Sequence, residues 1–204
     1  MTKTLDDIYR DIVNDPMNVE MKEKGYIPVY TAGYDAKIAI IGQAPGRKAQ
    51  ATMKPWNDAS GILLRKWLGL SDEEFYDPNL VALTPMDFYY PGKGTHGDLP
   101  PRKGFAEKWH PKLFACMPKI QLTILVGAYA QKYYLHEARH QTLTQRVLDY
   151  EVYLPHFFPL VHPSPLNLNW RAKHPWFESE VVPQLRQRVA EILYDDTSTS
   201  RYTK

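Results

Sequence analysis

The stretch IAIIGQAPGRKAQATMKPWNDASG, Ile38 to Gly61, decides how the rest of the chain is read. Ile38-Ala39-Ile40-Ile41 is a short unbroken apolar run that stops at a glycine, the pattern of a strand buried on both faces of a parallel sheet. Such a junction often opens a nucleotide site, yet the sequence forms of that site are missing. Gly42 and Gly46 do not complete G-x-G-x-x-G, and Arg47-Lys48 after Gly46 brings no Ser or Thr to complete a phosphate loop. The turn Gly42-Gln43-Ala44-Pro45-Gly46 therefore calls for a different ligand, with a nucleotide-binding transferase as the alternative.

Working outward, three further buried runs follow: Leu80–Leu83, Leu122–Val126 and Phe157–Val161. Segments of helical spacing lie around them. An N-terminal helical segment (residues 1–20) carries Leu5, Ile8, Tyr9 and Ile12 between Thr4 and Asn14. Asp58 opens a helix with Ile62, Leu63, Trp67 and Leu68 on its apolar face, ending at Gly69. Further helices are expected over Pro111–Met117, Ala128–Leu135, Gln141–Leu148 and Phe177–Leu193, with 195–204 as a frayed tail. Four apolar strands separated by helices predict an α/β fold: three layers, α/β/α, around a central four-stranded parallel sheet. The 204 residues suffice for one buried domain, with its core over about 36–193.

Composition narrows the classes of function. A net charge of +2 is far from the basic excess of a protein that coats nucleic acid, so any basic face is local. Cys116 is the only cysteine, which excludes an internal disulfide and any four-cysteine cluster. No apolar run reaches 18 residues, and the start MTKTLDDIYRDIVND is acidic and amphipathic, so a cytoplasmic location is expected. In an open parallel sheet ligands bind beyond the carboxyl ends of the strands. GQAPG, the long loop TPMDFYYPGKGTHGDLPPR from Thr84 and HPSPLN from His162 all fall at that edge.

Together these loops resemble the uracil-DNA glycosylase superfamily. Its first motif, G-x-x-P-G or G-Q-D-P-Y after the first strand, is matched by Gly42–Gly46, and its second, H-P-S-x-x after the last, by His162-Pro163-Ser164-Pro165-Leu166. The extension Pro55-Trp56-Asn57-Asp58-Ala59-Ser60-Gly61 is similar to the P-F-x-G-D-A-S-G stretch of the broad-specificity, family 5-like branch, although the cluster cysteines of that branch are missing. Ala44 stands where the uracil-specific branch has its water-activating aspartate, which leaves that role to Asp58. Uracil-reading members carry an Asn after the Thr that ends strand two. Here Thr84 is followed by Pro85, which lacks an amide to read a pyrimidine edge.

The resemblance implies a DNA N-glycosylase without cofactor or metal, acting as a monomer on DNA that contains a modified base. Breaking the glycosidic bond builds positive charge on the sugar and negative charge on the base, and a site must stabilise both. Asp58 is assigned to the sugar and the attacking water, with a helix N-cap as its plain structural role. His162 is assigned to the leaving base. Gln43, Ala44, Trp56 and Thr84 are expected around the base, Trp56 as the stacking plate or else as an ordinary core aromatic. Gly46, Arg47, Ser164, Pro165, Leu166 and Lys173 are expected on DNA, Pro165 and Leu166 as the wedge that fills the vacated space. Lys48, Lys93 and Arg171 add local charge, or serve as solvated surface.

Two readings of the middle loop stand side by side: a surface loop fastened by its own aromatics, or a reader of a different or larger base, built from Asp87, Phe88, Tyr89, His96 and Asp98. The His96-x-Asp98 pair lacks further ligands at metal spacing. Removal of a deaminated, damaged or modified base is the leading expectation. A glycosylase for a hypermodified, phage-type base and a catalytically silent DNA-binding member of the fold are the rivals.

Overall fold

A computed structural model of the chain describes residues 3–95, 97–138 and 140–194. The chain runs α1 (Leu5–Asn14), α2 (Val19–Glu23), β1 (Ile38–Ile41), α3 (Arg47–Thr52), α4 (Ala59–Leu68), α5 (Asp72–Tyr76) and β2 (Val81–Leu83). It continues through a small hairpin, β3 (Lys93–Gly94) with β4 (Gly97–Asp98), then α6 (Phe105–Ala115), β5 (Leu122–Val126) and α7 (Ala128–Tyr134). The last elements are α8 (Leu143–Leu148), β6 (Phe157–Leu160), α9 (Leu168–Lys173) and α10 (Val182–Tyr194).

β2-β1-β5-β6 form one parallel sheet, with Ile38 opposite Val81 on one side and Leu122 on the other, and Thr123 opposite Phe157. The alternation of side chains along β1 builds the layers. Ile38 and Ile40 pack with Leu64, Trp67 and Leu68 of α4 and Leu185 and Val189 of α10. Ala39 turns the other way, onto Ile8 and Ile12 of α1 and Phe105 and Trp109 of α6. Ile41 and Leu125 meet Ala130 of α7. Both faces are thus covered, which is why each strand reads as an unbroken apolar run.

Several boundaries differ from the sequence reading. α6 begins at Phe105, after Gly104 at φ 81°, and not at Pro111. Proline favours a helix start, but here the ring sits inside the helix and leaves the Glu107 carbonyl without its N–H partner. The closing helix opens with a π turn over Phe177–Val181. α3, α5 and α9 were not anticipated; α3 buries only Ala49 and Gln50, so it has no apolar period to detect. The tail 195–204 and His96 lie outside the described residues.

The middle loop is built into the core at its start. Phe88 and Tyr89 are fully buried among α1 and α6, and Asp87 is 0% exposed. Arg102 closes on Asp87 with Nε at 2.7 Å and Nη2 at 2.8 Å, while its Nη1 donates to the Met17 carbonyl at 2.8 Å. The backbone N–H groups of Arg102 and Tyr89 add two more bonds to the same carboxylate, each 3.1 Å. This part of the loop is fastened by its own side chains. Asp87, Phe88 and Tyr89 do not line the cleft described next.

Candidate active site

At the carboxyl edge of the sheet the loops after β1, β2 and β6 and the β3–β4 hairpin enclose a cleft of about 440 Å³, within the usual range for small-molecule sites. Of the expected residues, Gln43, Ala44, Gly46, Trp56, Asp58, His162, Ser164 and Leu166 line it. Four do not: Thr84, Arg47, Pro165 and Lys173. Thr84 is 0% exposed with a hydroxyl that has no partner among the described residues, its backbone N–H tied to Ile40 in continuation of the sheet. Arg47 is exposed on the first turn of α3, and Lys173 ends α9. Val29 lines the cleft without having been anticipated there, while Pro85 and, of the residues named as possible base readers in the middle loop, Asp98 do reach it.

Asp58 is both cap and cleft residue. Its Oδ1 accepts from the Gly61 N–H at 2.9 Å and so begins α4, while the side chain remains exposed to the cleft. One carboxylate oxygen answers an orphan donor of the helix. The other has no hydrogen-bond partner among the described residues. Trp56, two residues before, has φ 54° and its ring lies against the Cα of Gly42; a Cβ there would come within 2.8 Å of the indole. Glycine at 42 is therefore what allows the indole to sit flush with the first loop.

His162 follows β6 and faces Trp56 across the cleft, with ring centroids 5.6 Å apart and planes inclined at 31°. Burial pushes its pKa down, and the Asp58 charge pulls it part of the way back. The imidazole is thus neutral near pH 7, and its ring nitrogens make no hydrogen bond to the described residues, so one N–H is available to a ligand. The Asn167 side chain donates to the His162 carbonyl at 2.8 Å, and Ser164 Oγ accepts from the Leu166 N–H at 3.2 Å. These bonds fold Pro165–Asn167 into a single 3₁₀ turn that lifts Leu166 into solvent, 87% exposed.

The wall opposite is set by the loop after β2. Met86 and Asp87 N–H groups donate to the Gly42 and Gln43 carbonyls, laying the loop along the first motif. The Gln43 side-chain amide donates to the Leu99 carbonyl at 2.8 Å, and so ties the hairpin, with Asp98, to the cleft. Pro85 has no N–H, and its carbonyl accepts from His110 Nε2 at 2.9 Å. A carbonyl cannot donate, so Nε2 carries the proton and Nδ1 accepts from the Tyr134 hydroxyl at 2.6 Å. Burial lowers the His110 pKa to about 4, which keeps this neutral arrangement near pH 7. Position 85 accordingly shows the cleft an apolar ring and no donor, its carbonyl being engaged by His110.

Among the described residues no group of three or more His, Cys, Asp and Glu side chains could hold a metal ion, and no helix is long and apolar enough to cross a membrane. The family model of the uracil DNA glycosylase superfamily matches residues 28–186, a span that includes every loop of the cleft. The chain belongs to that superfamily, and DNA glycosylase is its general class. It is also similar to a solution NMR structure of a candidate uracil DNA glycosylase from Methanosarcina acetivorans. That similarity has 18% identity and a TM-score of 0.47, and spans 80% of this chain and 96% of that one.

Proposed function

We propose that the protein is a monofunctional DNA N-glycosylase of broad base specificity, which extrudes a deaminated, damaged or modified base and hydrolyses its glycosidic bond. The observation that carries this reading is the meeting of Asp58, Trp56 and His162 in one cleft. The extruded base stacks on the Trp56 indole. As the C1′–N bond lengthens, its electron pair moves onto the base, and the His162 N–H donates to the atom where that charge collects. The free oxygen of Asp58 faces the sugar, favours the oxocarbenium and takes a proton from the water that adds to C1′. The products are an abasic sugar and the free base, which takes a proton from solvent while Asp58 gives the water's proton back to solvent. No lysine is needed.

Base selection follows from position 85. An apolar wall with its one carbonyl already bonded to His110 discriminates by shape, and large ratios between bases arise from polar groups left unpaired. Oligonucleotides with uracil, hypoxanthine, xanthine or modified cytosines, followed by alkaline cleavage of abasic sites, test the reading. Excision of several of these is expected, with no preference for uracil above roughly a thousandfold. Failure on every base would leave a DNA-binding member without activity.

The wedge gives a separate expectation. Leu166 projects from the second motif with almost no protein contact, so its side chain is available to replace an extruded nucleotide in the stack. Leu166→Ala is expected to slow single-turnover excision from duplex DNA by roughly one to two powers of ten, since unstacking costs a few kcal/mol. Single strands, which have no stack to hold open, should be affected far less. Equal fractional losses on both forms would remove Leu166 from this role.

A further inference from the structure

Trp56 holds a left-handed backbone conformation, φ 54°, which bulky residues adopt only when their surroundings impose it. The imposing groups lie outside the cleft. Tyr76, the last residue of α5, donates its hydroxyl to the Pro55 carbonyl at 3.0 Å and stands 3.3 Å from the Trp56 carbonyl. Arg65 of α4 reaches the Trp56 carbonyl with Nη1 at 3.4 Å and the Tyr76 hydroxyl at 3.2 Å. Its guanidinium is fixed in turn: Nε pairs with Asp72 at 2.6 Å, and the Phe75 ring lies 5.3 Å away.

Gly61 completes the arrangement. A Cβ at that position would fall 1.7 Å from the Trp56 carbonyl oxygen, so only glycine lets this carbonyl pass beneath the first turn of α4. The N–H of the same glycine holds Asp58. The carbonyl of the stacking residue and the carboxylate of the hydrolytic one therefore rest on a single residue, with Tyr76 and Arg65 behind it.

We propose that Tyr76 and Arg65 are positioning residues for the stacking plate: by binding the Pro55 and Trp56 carbonyls they hold Trp56 left-handed and fix where its indole meets an extruded base. The idea rests on the glycosylase reading for the base, but not for the clasp itself. Neither residue touches the cleft, so loss of either acts through Trp56. Were the carbonyls released, the backbone at 56 would relax toward negative φ and carry the ring away from Gly42 and His162. Tyr76→Phe removes the hydroxyl while the ring keeps its edge contact with Phe75, centroids 5.1 Å apart, and its place under Lys54 Nζ at 4.0 Å.

Two measurements test the clasp. In protein labelled with 5-fluorotryptophan, the Trp56 resonance, assigned by Trp56→Phe, should shift and broaden in Tyr76→Phe and in Arg65→Met. The resonances of Trp109, Trp170 and Trp176 should stay in place. On an excised base, Tyr76→Phe should raise KM roughly five- to tenfold with kcat within about twofold, as expected when stacking is weakened in ground and transition states alike. In a Trp56→Ala background the same substitution should change neither constant, because its only route of action is gone. A Trp56 resonance unmoved by both variants, or the full loss persisting in the Trp56→Ala background, would overturn the proposal. Excision by the unaltered protein tests the glycosylase reading separately, and the resonance test decides the clasp even if no base is released.

Discussion

Asp58→Asn is expected to lower the single-turnover rate of base excision by roughly a hundred- to ten-thousandfold, the range associated with a positioned acid–base group, while DNA binding stays equal or becomes tighter. Asparagine suits this test because the cap that Asp58 forms and the chemistry proposed for it are separable. As a cap it offers Oδ1 to the Gly61 N–H, and an asparagine oxygen does that almost equally well, so α4 and the folded state persist. In the proposed reaction it offers a carboxylate to the sugar cation and the water, and an amide supplies neither the charge nor the base. Removing a negative charge next to the proposed path of the DNA backbone also works against any loss of affinity. Asp58→Ala, by contrast, removes the cap as well and should cost about 1 kcal/mol of stability. The measurements are single-turnover excision, binding of an uncleaved oligonucleotide and a denaturation curve for each variant. An Asn variant that excises at the normal rate would remove Asp58 from the chemistry and leave it as a cap alone.

The reason Asp58 could be found in the sequence is also the reason other parts of the site could not. Strands such as Ile38–Ile41 and Leu122–Val126 are continuous apolar runs because both faces of the sheet are covered, and that property is local to the run. The loops that follow them carry Gly, Pro, Asp and His at positions tied to a strand end, so the motif residues Asp58 and His162 are found by order along the chain. Tyr76 and Arg65, and the way in which Pro85 and Asp98 are held, depend instead on pairings between segments distant in sequence. Gln43 reaches Leu99, His110 reaches Pro85 from α6, and Tyr76 reaches Pro55 and Trp56 from α5. None of these partners shares a periodicity or a spacing with the other. Thr84 shows the converse: its match to the Thr that ends strand two in the superfamily implied a base contact, but a residue that continues the sheet ladder is drawn into the core. Gln50 is similar, a polar residue in a short helix that is buried because it joins the Ile27 carbonyl to the Tyr90 N–H.

Asp87 and Arg102 give the largest expected effect on stability. Asp87 is fully buried and receives four hydrogen bonds, two from the Arg102 side chain and one each from the backbone of Arg102 and Tyr89. Arg102 also spans to Met17 and stands over the rings of Tyr89 and Phe105, 5.3 and 4.8 Å from their centroids. Arg102→Ala would leave a carboxylate buried without its counter-charge, a defect that typically costs about 3–5 kcal/mol. At about 2–4 °C per kcal/mol for a chain of this size, the melting temperature should fall by roughly 6–20 °C. Asp87→Asn combined with Arg102→Ala should recover part of the loss at neutral pH, because the amide leaves no unpaired charge in the core. A deficit unchanged in the double variant would mean that Arg102 acts through its packing on Tyr89 and Phe105. Because the same loop delivers the hairpin bearing Asp98 to the cleft, Arg102→Ala should also weaken excision, whereas Asp58→Asn leaves stability alone. The two variants thus separate the frame of the site from its chemistry.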